Sequence, residues 1–241
     1  SVEERNFLGR GQLVKASIGG GAKTQNAEFS FTEPYLFGRR ISAGFDVYNR
    51  VTENSDFQVY DQRETGGGVR FTLPINEPTS FELYYNLFQR DISLPNFNAN
   101  CTGPNPTYSI AICDSEGESI TSMIGGALIV NTLDNRLNPR DGFYLRSDTS
   151  IAGLGGDVSF IRNRTEFRAY REVLPAAGLV GMVKAEGGVV SSLDDDLRVQ
   201  DQFFVGGGTI RGFESSGIGP RDRRTGDALG GRYMVAATAE A

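Results

Sequence analysis

The segment 203–220, with the sequence FFVGGGTIRGFESSGIGP, holds one arginine in a glycine-rich loop. Glycine allows backbone conformations and close approaches that a Cβ atom would block. A loop of this composition can fold back into a narrow space and present Arg211 as a fixed cation. The chemistry that it could perform is the planar, charge-assisted pairing of a guanidinium with a carboxylate.

Other chemistry has little support in the sequence. The chain has no histidine, so a serine nucleophile would have no imidazole base, and an acid-dyad hydrolase has no positive signal. The run Asp194–Asp196 could suggest a cation site, but it lacks the oxygen spacing of an EF-hand, and we interpret it as a solvated acidic loop. We therefore expect a protein that is not an enzyme, with no catalytic residues, no bound metal and no cofactor.

The two cysteines, Cys101 and Cys113, lie in a stretch rich in Pro, Asn, Gly and Ser. Close pairing inside a loop favours a disulfide, and two cysteines without histidine are too few for a four-ligand zinc site. A disulfide would stabilise the loop by about 3 kcal/mol in the chain-entropy model. It would also indicate an exposed loop in an oxidising compartment.

Composition excludes several classes of protein. The net charge of −6 argues against a nucleic-acid-binding protein, which would show a basic stripe. No apolar run approaches the 18 residues of a transmembrane helix, and the charged start of the chain contains no signal peptide. The apolar share of 39% and the mean hydropathy of −0.30 suit a β-barrel, in which alternate residues face lipid.

Apolar and polar residues alternate with a period of two, and no segment shows a convincing helical period. In the segment that starts at Ile41, apolar residues take the odd positions and mostly polar or small residues take the even ones. The alternating segments predict about ten strands. They cover residues 11–19, 26–33, 40–50, 63–73, 79–92, 119–132, 143–152, 158–173, 179–191 and 231–241.

Two kinds of connection alternate along the chain. Short turns punctuated by Pro and Gly alternate with more polar loops, of which the longest lie near 93–118 and 193–230. Short turns at one end and longer loops at the other are typical of outer-membrane barrels. We therefore predict an all-β, antiparallel, up-and-down transmembrane β-barrel. A soluble β-sandwich also alternates, but the long strands and the aromatic residues near strand ends argue against it.

Four short motifs resemble those of the BamA superfamily of outer-membrane assembly and translocation barrels. They are Ile210–Phe213 in the loop, Asn6–Gly11, the turn Phe31–Tyr35 and the turn Asn138–Gly142. The loop motif is similar to the (V/I)RGF of the family's sixth extracellular loop. The resemblance implies a partial barrel over residues 1–241, about ten of sixteen strands, running from about strand 2 to strand 12. The POTRA repeats that precede the family's barrel would be missing.

A partial barrel would have two open sheet edges. A closed barrel has no edge strands, and lipid cannot hydrate unpaired backbone groups. We therefore expect that these residues alone are not an active membrane monomer, and that further chain, a second copy or detergent covers the edges. A closed, monodisperse monomer of these residues would contradict this expectation.

The resemblance also assigns roles in the loop. In the family the loop enters the lumen and its arginine meets carboxylates on the inner wall, and residues 230–240 resemble a strand that carries one of them. Alternation turns Glu240 inward, which makes Ile210, Arg211, Gly212 and Phe213 a latch with Glu240 as partner. Phe213 would pack near the latch, against Tyr48 or Tyr84. The alternative is a solvated loop arginine.

The function that the resemblance implies is the folding and insertion of β-barrel proteins in the bacterial outer membrane. Its partners would be unfolded outer-membrane protein clients, accessory assembly lipoproteins that bind the POTRA repeats, and outer-membrane lipid, with no nucleic acid. The alternative is a protein translocation or secretion pore, of the two-partner type or similar to TamA, which shares the loop motif. A diffusion porin would not need an arginine loop in its lumen.

Overall fold

The strands form one antiparallel sheet in the order of the chain. In the computed structural model, which describes residues 1–55, 58–95, 100–194 and 197–241, eleven strands are each hydrogen-bonded to the next. The predicted all-β, antiparallel, up-and-down fold is confirmed. The strands are β1 (Val2–Phe7), β2 (Gln12–Gly20), β3 (Thr24–Glu33), β4 (Ser42–Thr52), β5 (Asp61–Pro74), β6 (Thr79–Ser93), β7 (Gly117–Asn131), β8 (Gly142–Gly156), β9 (Phe160–Leu174), β10 (Leu179–Ser192) and β11 (Tyr233–Glu240).

In the part of the chain that the structure describes, helical structure is confined to the connections. One short helix, α1 (Ile110–Cys113), lies between β6 and β7, and single 3-10 turns occur at Leu36–Gly38, Pro175–Ala177 and Val199–Asp201. Within the described ranges, no helix combines the length and the apolar character needed to cross a membrane.

Each of the ten predicted strands corresponds to an observed strand, and the structure adds one more to the predicted count of about ten. The missed strand is β1, which pairs with β2 through Glu3 opposite Lys15. Its sequence VEERNF has three consecutive charged residues, so it carries no alternating pattern. The largest error at a strand end is in β8, predicted to stop at residue 152. It continues to Gly156, which pairs with Thr121 of β7 beyond a register shift.

The two faces of the sheet differ in chemistry, as alternation requires. The face that carries Asp46, Arg146 and Glu186 is called the inner face, and the opposite one the outer face. The outer face exposes large apolar side chains, among them Phe45, Val47, Phe71, Leu83, Leu128, Val183 and Val235. The inner face is lined by ion pairs: Arg70 with Asp46, Arg90 with Glu64, Arg146 with Glu82 and Asp148, Arg164 with Glu186, Arg168 with Glu166, and Lys184 with Glu186.

Small residues on the inner face of β7 let its two neighbours contact each other. The Tyr84 hydroxyl of β6 donates to Asp148 of β8 at 2.6 Å, and its ring covers Gly125, where a Cβ atom would lie 2.4 Å from the ring. One level along the strands, Arg146 of β8 donates to Glu82 of β6 at 2.7 Å. These bonds connect two strands that share no backbone hydrogen bonds.

A polar patch interrupts the apolar outer face on β8 and β9. Asn163 donates to Thr149 at 2.8 Å, and the Ser147 and Thr165 hydroxyls lie 3.0 Å apart. A polar group in hydrocarbon is costly unless it has a hydrogen-bond partner. The patch supplies its own partners, so it is compatible with an apolar environment.

Candidate functional site

The glycine run at the tip of the long loop brings two backbone segments into close contact. The Gly207 amide donates to the Glu214 carbonyl at 3.1 Å, and the Ile210 amide donates to the Gly206 carbonyl at 2.8 Å. A Cβ atom on Gly206 would lie 2.2 Å from the Glu214 carbonyl oxygen, and one on Gly207 would lie 2.5 Å from the Phe213 carbonyl oxygen. A Cβ atom on Gly208 would meet nothing within 4 Å. The tight turn therefore depends on the first two glycines of the run.

The structure brings Arg211 close to Glu240. One Arg211 Nη atom lies 3.2 Å from a Glu240 carboxylate oxygen, on the inner face of β11. The Arg211 side chain is 83% exposed and the Glu240 side chain 31%. An ion pair this exposed contributes at most about 1 kcal/mol. Within this chain the pair is therefore exposed and not buried, and its role as a latch stays a prediction.

Of the other motif residues, Gly212 and Phe213 are exposed and Ile210 is half-buried. Gly212 has a φ of +88°, a conformation that glycine adopts without strain. The Phe213 side chain is 53% exposed. Tyr48 and Tyr84, expected as its neighbours, are engaged elsewhere. The Arg50 guanidinium lies 4.2 Å from the centre of the Tyr48 ring, and the Tyr84 hydroxyl donates to Asp148.

The base of the same loop is buried, and the sequence analysis did not single it out. Alternate residues of the base are buried, namely Leu197, Val199, Asp201 and Phe203. Leu197 and Phe203 pack with Phe160 of β9 and Val190 of β10. Val199 packs in a second cluster with Tyr60, Ile92 and Ile112. Three of these positions, Leu197, Val199 and Phe203, show the alternation that identified the strands, so this pattern could have identified the base.

A charged cluster fixes Asp201 to the inner face. Arg90 of β6 donates to the Asp201 carboxylate at 2.9 Å and, through a different nitrogen, to Glu64 of β5 at 2.9 Å. Arg162 of β9 donates to the Asp201 carbonyl oxygen at 2.6 Å. The Arg162 guanidinium also lies 4.8 Å from the centre of the Phe203 ring, within the range of a cation–π interaction. Two arginines on the inner face of the sheet, Arg90 and Arg162, thus bind Asp201 of the loop.

A second loop, between β6 and β7, packs on the long loop. The Ser109 amide, at the start of α1, donates to Asp227 at 2.8 Å, and Arg224 donates to the Gly103 carbonyl at 3.3 Å. Asp222 accepts hydrogen bonds from the Thr225 and Arg224 amides. These bonds lower the pKa of the Asp222 carboxyl group, so a charged Asp222 stabilises this turn.

Cys101 and Cys113 are joined by a disulfide within the second loop, with their Cα atoms 6.3 Å apart. We predict that replacing both with serine will free residues 100–116 while leaving the strands intact. The bridge spans 12 positions, and its loss is expected to cost about 3 kcal/mol, or about a hundredfold in the population of the open loop. Hydrogen exchange of the Ile112 amide, which is buried inside this loop and donates to the Ser109 carbonyl, measures this population. Exchange at the wild-type rate would contradict the prediction.

The acidic run lies mostly outside the described residues. Asp194 is described, whereas Asp195 and Asp196 are not, so the interpretation of the run as a solvated loop stays a prediction. In the ranges that the structure describes, no cluster of three His, Cys, Asp or Glu side chains has a metal-binding arrangement.

Comparison with known proteins gives consistent matches over the whole chain. Residues 6–241 match the model of the Omp85 superfamily domain. The chain is 29% identical over 245 aligned positions to the outer membrane protein assembly factor BamA of Neorickettsia risticii, and 28% identical over 238 to that of Nitratidesulfovibrio vulgaris. It is 28% identical over 229 positions to the human sorting and assembly machinery component 50 homolog.

Each relative is longer than this chain. The matches cover 94 to 100% of the chain but 31%, 28% and 46% of these three relatives. Among solved structures, the crystal structure of BamA from Haemophilus ducreyi lacking POTRA domains 1-3 superposes with a TM-score of 0.80. That alignment covers 98% of this chain and 48% of the solved chain at 20% identity. It supports the same fold.

Proposed function

Because the chain belongs to the Omp85 superfamily, we propose that it is part of a protein that folds and inserts β-barrel proteins into the bacterial outer membrane. The observation that carries the proposal is similarity along nearly the whole chain to relatives named as outer membrane protein assembly factors. The site supports it through a loop that folds onto the inner face of the sheet, with Arg211 close to Glu240.

The proposal includes the placement of the chain in the membrane. The eleven strands correspond to about strands 2 to 12 of a sixteen-stranded barrel, so that residues 1–241 are a partial barrel. The apolar outer face contacts outer-membrane lipid, because its exposed side chains suit hydrocarbon. The loops near 93–118 and 193–230 are extracellular, and the short turns are periplasmic.

The proposed role of the motif Ile210–Phe213 is mechanical. The loop covers the inner face, and the Arg211–Glu240 pair holds its tip there, so the residues perform no covalent step. The clients are unfolded outer-membrane proteins, which can add strands to a sheet edge through main-chain hydrogen bonds. Accessory assembly lipoproteins bind the POTRA repeats of the whole protein.

The first test is client folding with Arg211→Ala. The full-length protein, reconstituted in liposomes with its accessory lipoproteins, is expected to accelerate folding of an outer-membrane client. We predict that Arg211→Ala slows this folding by up to about fivefold, the factor that corresponds to about 1 kcal/mol. The variant itself should remain folded, because the pair that it removes is mostly exposed.

Two other results would change the interpretation. Accelerated folding that the substitution leaves untouched would keep the function and reject the latch. No acceleration, with an unfolded passenger crossing into the vesicle instead, would identify a translocation or secretion pore, of the two-partner type or similar to TamA.

A further inference from the structure

The long loop contacts the inner face at two places that differ in burial. At the tip, Arg211 and Glu240 form a pair whose arginine is 83% exposed. At the base, the Arg90 side chain is 13% exposed and the Asp201 side chain 4%. Water screens the first pair and is largely excluded from the second, so a hydrogen-bonded charge pair is stronger at the base.

The bonds at the base join the loop to two well-separated strands. Arg90 comes from β6 and contacts the Asp201 carboxylate, whereas Arg162 comes from β9 and contacts the Asp201 backbone. The Asp201 position is therefore fixed both through its side chain and through its main chain. Its neighbours in the chain are also buried, Leu197 and Phe203 in one apolar cluster and Val199 in the other.

Loss of the Asp201 charge would leave Arg90 with one carboxylate partner among the described residues, Glu64. An arginine removed from water and left with an unpaired donor is strongly unfavourable. By contrast, release of the exposed Arg211 returns it to water at little cost. Breaking the contact at the base is therefore less favourable than releasing the contact at the tip.

We propose that Asp201 is the positioning residue that holds the long loop on the inner face, through Arg90 and Arg162. The Arg211–Glu240 pair then sets only the position of the tip. The tip can release and rebind while the base stays attached. This inference rests on the packing of the loop and not on the insertase function, since its test needs no client protein.

The test is tryptic cleavage of the folded, full-length protein at the bond between Arg198 and Val199. Val199 is almost fully buried, so trypsin reaches this bond only when the base detaches, and the cleavage rate tracks the detached population. We expect Asp201→Asn to raise the rate by about tenfold or more, and Arg211→Ala to leave it within about twofold of the wild type. Cleavage after the exposed Arg223 serves as the internal reference.

Glu64→Gln is the matched control. Glu64 and Asp201 contact the same arginine, Arg90, at the same distance of 2.9 Å, but Glu64 belongs to β5 of the sheet and Asp201 to the loop. If Asp201 holds the loop, Glu64→Gln should raise cleavage at Arg198 much less than Asp201→Asn does. Retained electrophoretic heat-modifiability confirms that each variant has a folded barrel.

Three results would overturn the proposal. One is cleavage at Arg198 that Asp201→Asn leaves unchanged. Another is equal acceleration by Glu64→Gln and Asp201→Asn, which would attribute the faster cleavage to the sheet and not to the loop. The third is a larger acceleration by Arg211→Ala, which would make the tip the main attachment. If Asp201→Asn fails to fold, Arg162→Met replaces it, because it removes the bond to the Asp201 carbonyl without changing the loop sequence, and the same tenfold criterion applies.

Discussion

Gly206→Ala is expected to destroy the turn that carries Arg211. The added Cβ atom would lie 2.2 Å from the Glu214 carbonyl oxygen and 2.6 Å from the Ser216 amide nitrogen. Both are backbone atoms, so a side-chain rotation cannot relieve the contact. Residues 206 and 214 must separate, which breaks the bond from the Gly207 amide to the Glu214 carbonyl.

We expect the substitution to destabilise the turn by about 3 kcal/mol, or a little over a hundredfold in its closed population. Hydrogen exchange of the Gly207 amide measures this change directly. Gly208→Ala is the control, because its Cβ atom would meet nothing within 4 Å, and it should leave exchange nearly unchanged. Equal exchange rates in the two variants would show that close approach is not the reason for the glycine run.

Gly188→Ala is expected to force Phe203 out of its site at the base of the loop. The Cβ atom would lie 2.6 Å from the end of the Phe203 ring. The ring is buried and packs with Phe160, Val190 and Met234, so it has little freedom to move aside. Overpacking of this kind costs about 1–3 kcal/mol. Denaturant unfolding of the full-length protein, followed by circular dichroism, measures the loss.

Gly187→Ala gives a control one residue away. Gly187 faces outward, and its Cβ atom would lie 3.9 Å from the nearest atom, so alanine should be neutral or slightly stabilising in the strand. A smaller side chain in Phe203→Leu should recover part of the stability lost in Gly188→Ala. Independent, additive effects of these two substitutions would contradict the contact on which the prediction rests.

The fold could be predicted from the sequence wherever one face of a strand is apolar. Alternation located ten of the eleven strands, because a strand with lipid or solvent on one side must alternate. β1 was missed because its charged sequence carries no alternating pattern. It is identified as a strand by its pairing with β2. The end of β8 was missed because Gly153 and Gly156 suggest a turn in the sequence. Both glycines have positive φ in the structure, but the strand continues through them, beyond the shift in its register with β7.

The site was only partly predictable. The pairing of Arg211 with Glu240 was implied by the family resemblance, and alternation along the last strand turned Glu240 inward. Asp201 meets Arg90, which precedes it by 111 positions, and no local pattern specifies a partner at that separation. The sequence also does not state burial. The Arg211–Glu240 pair, expected away from water, is the exposed contact of the loop. The contact made by Asp201, which the sequence analysis did not identify, is the buried one.

The bonds that cross β7 have a mechanical consequence. Tyr84 and Glu82 of β6 are tied to Asp148 and Arg146 of β8, so sliding β6 past β8 would break side-chain bonds as well as two backbone ladders. The three strands β6, β7 and β8 should therefore move as one rigid unit. We expect bending of the sheet to concentrate at the borders of this unit, toward β1 on one side and β11 on the other.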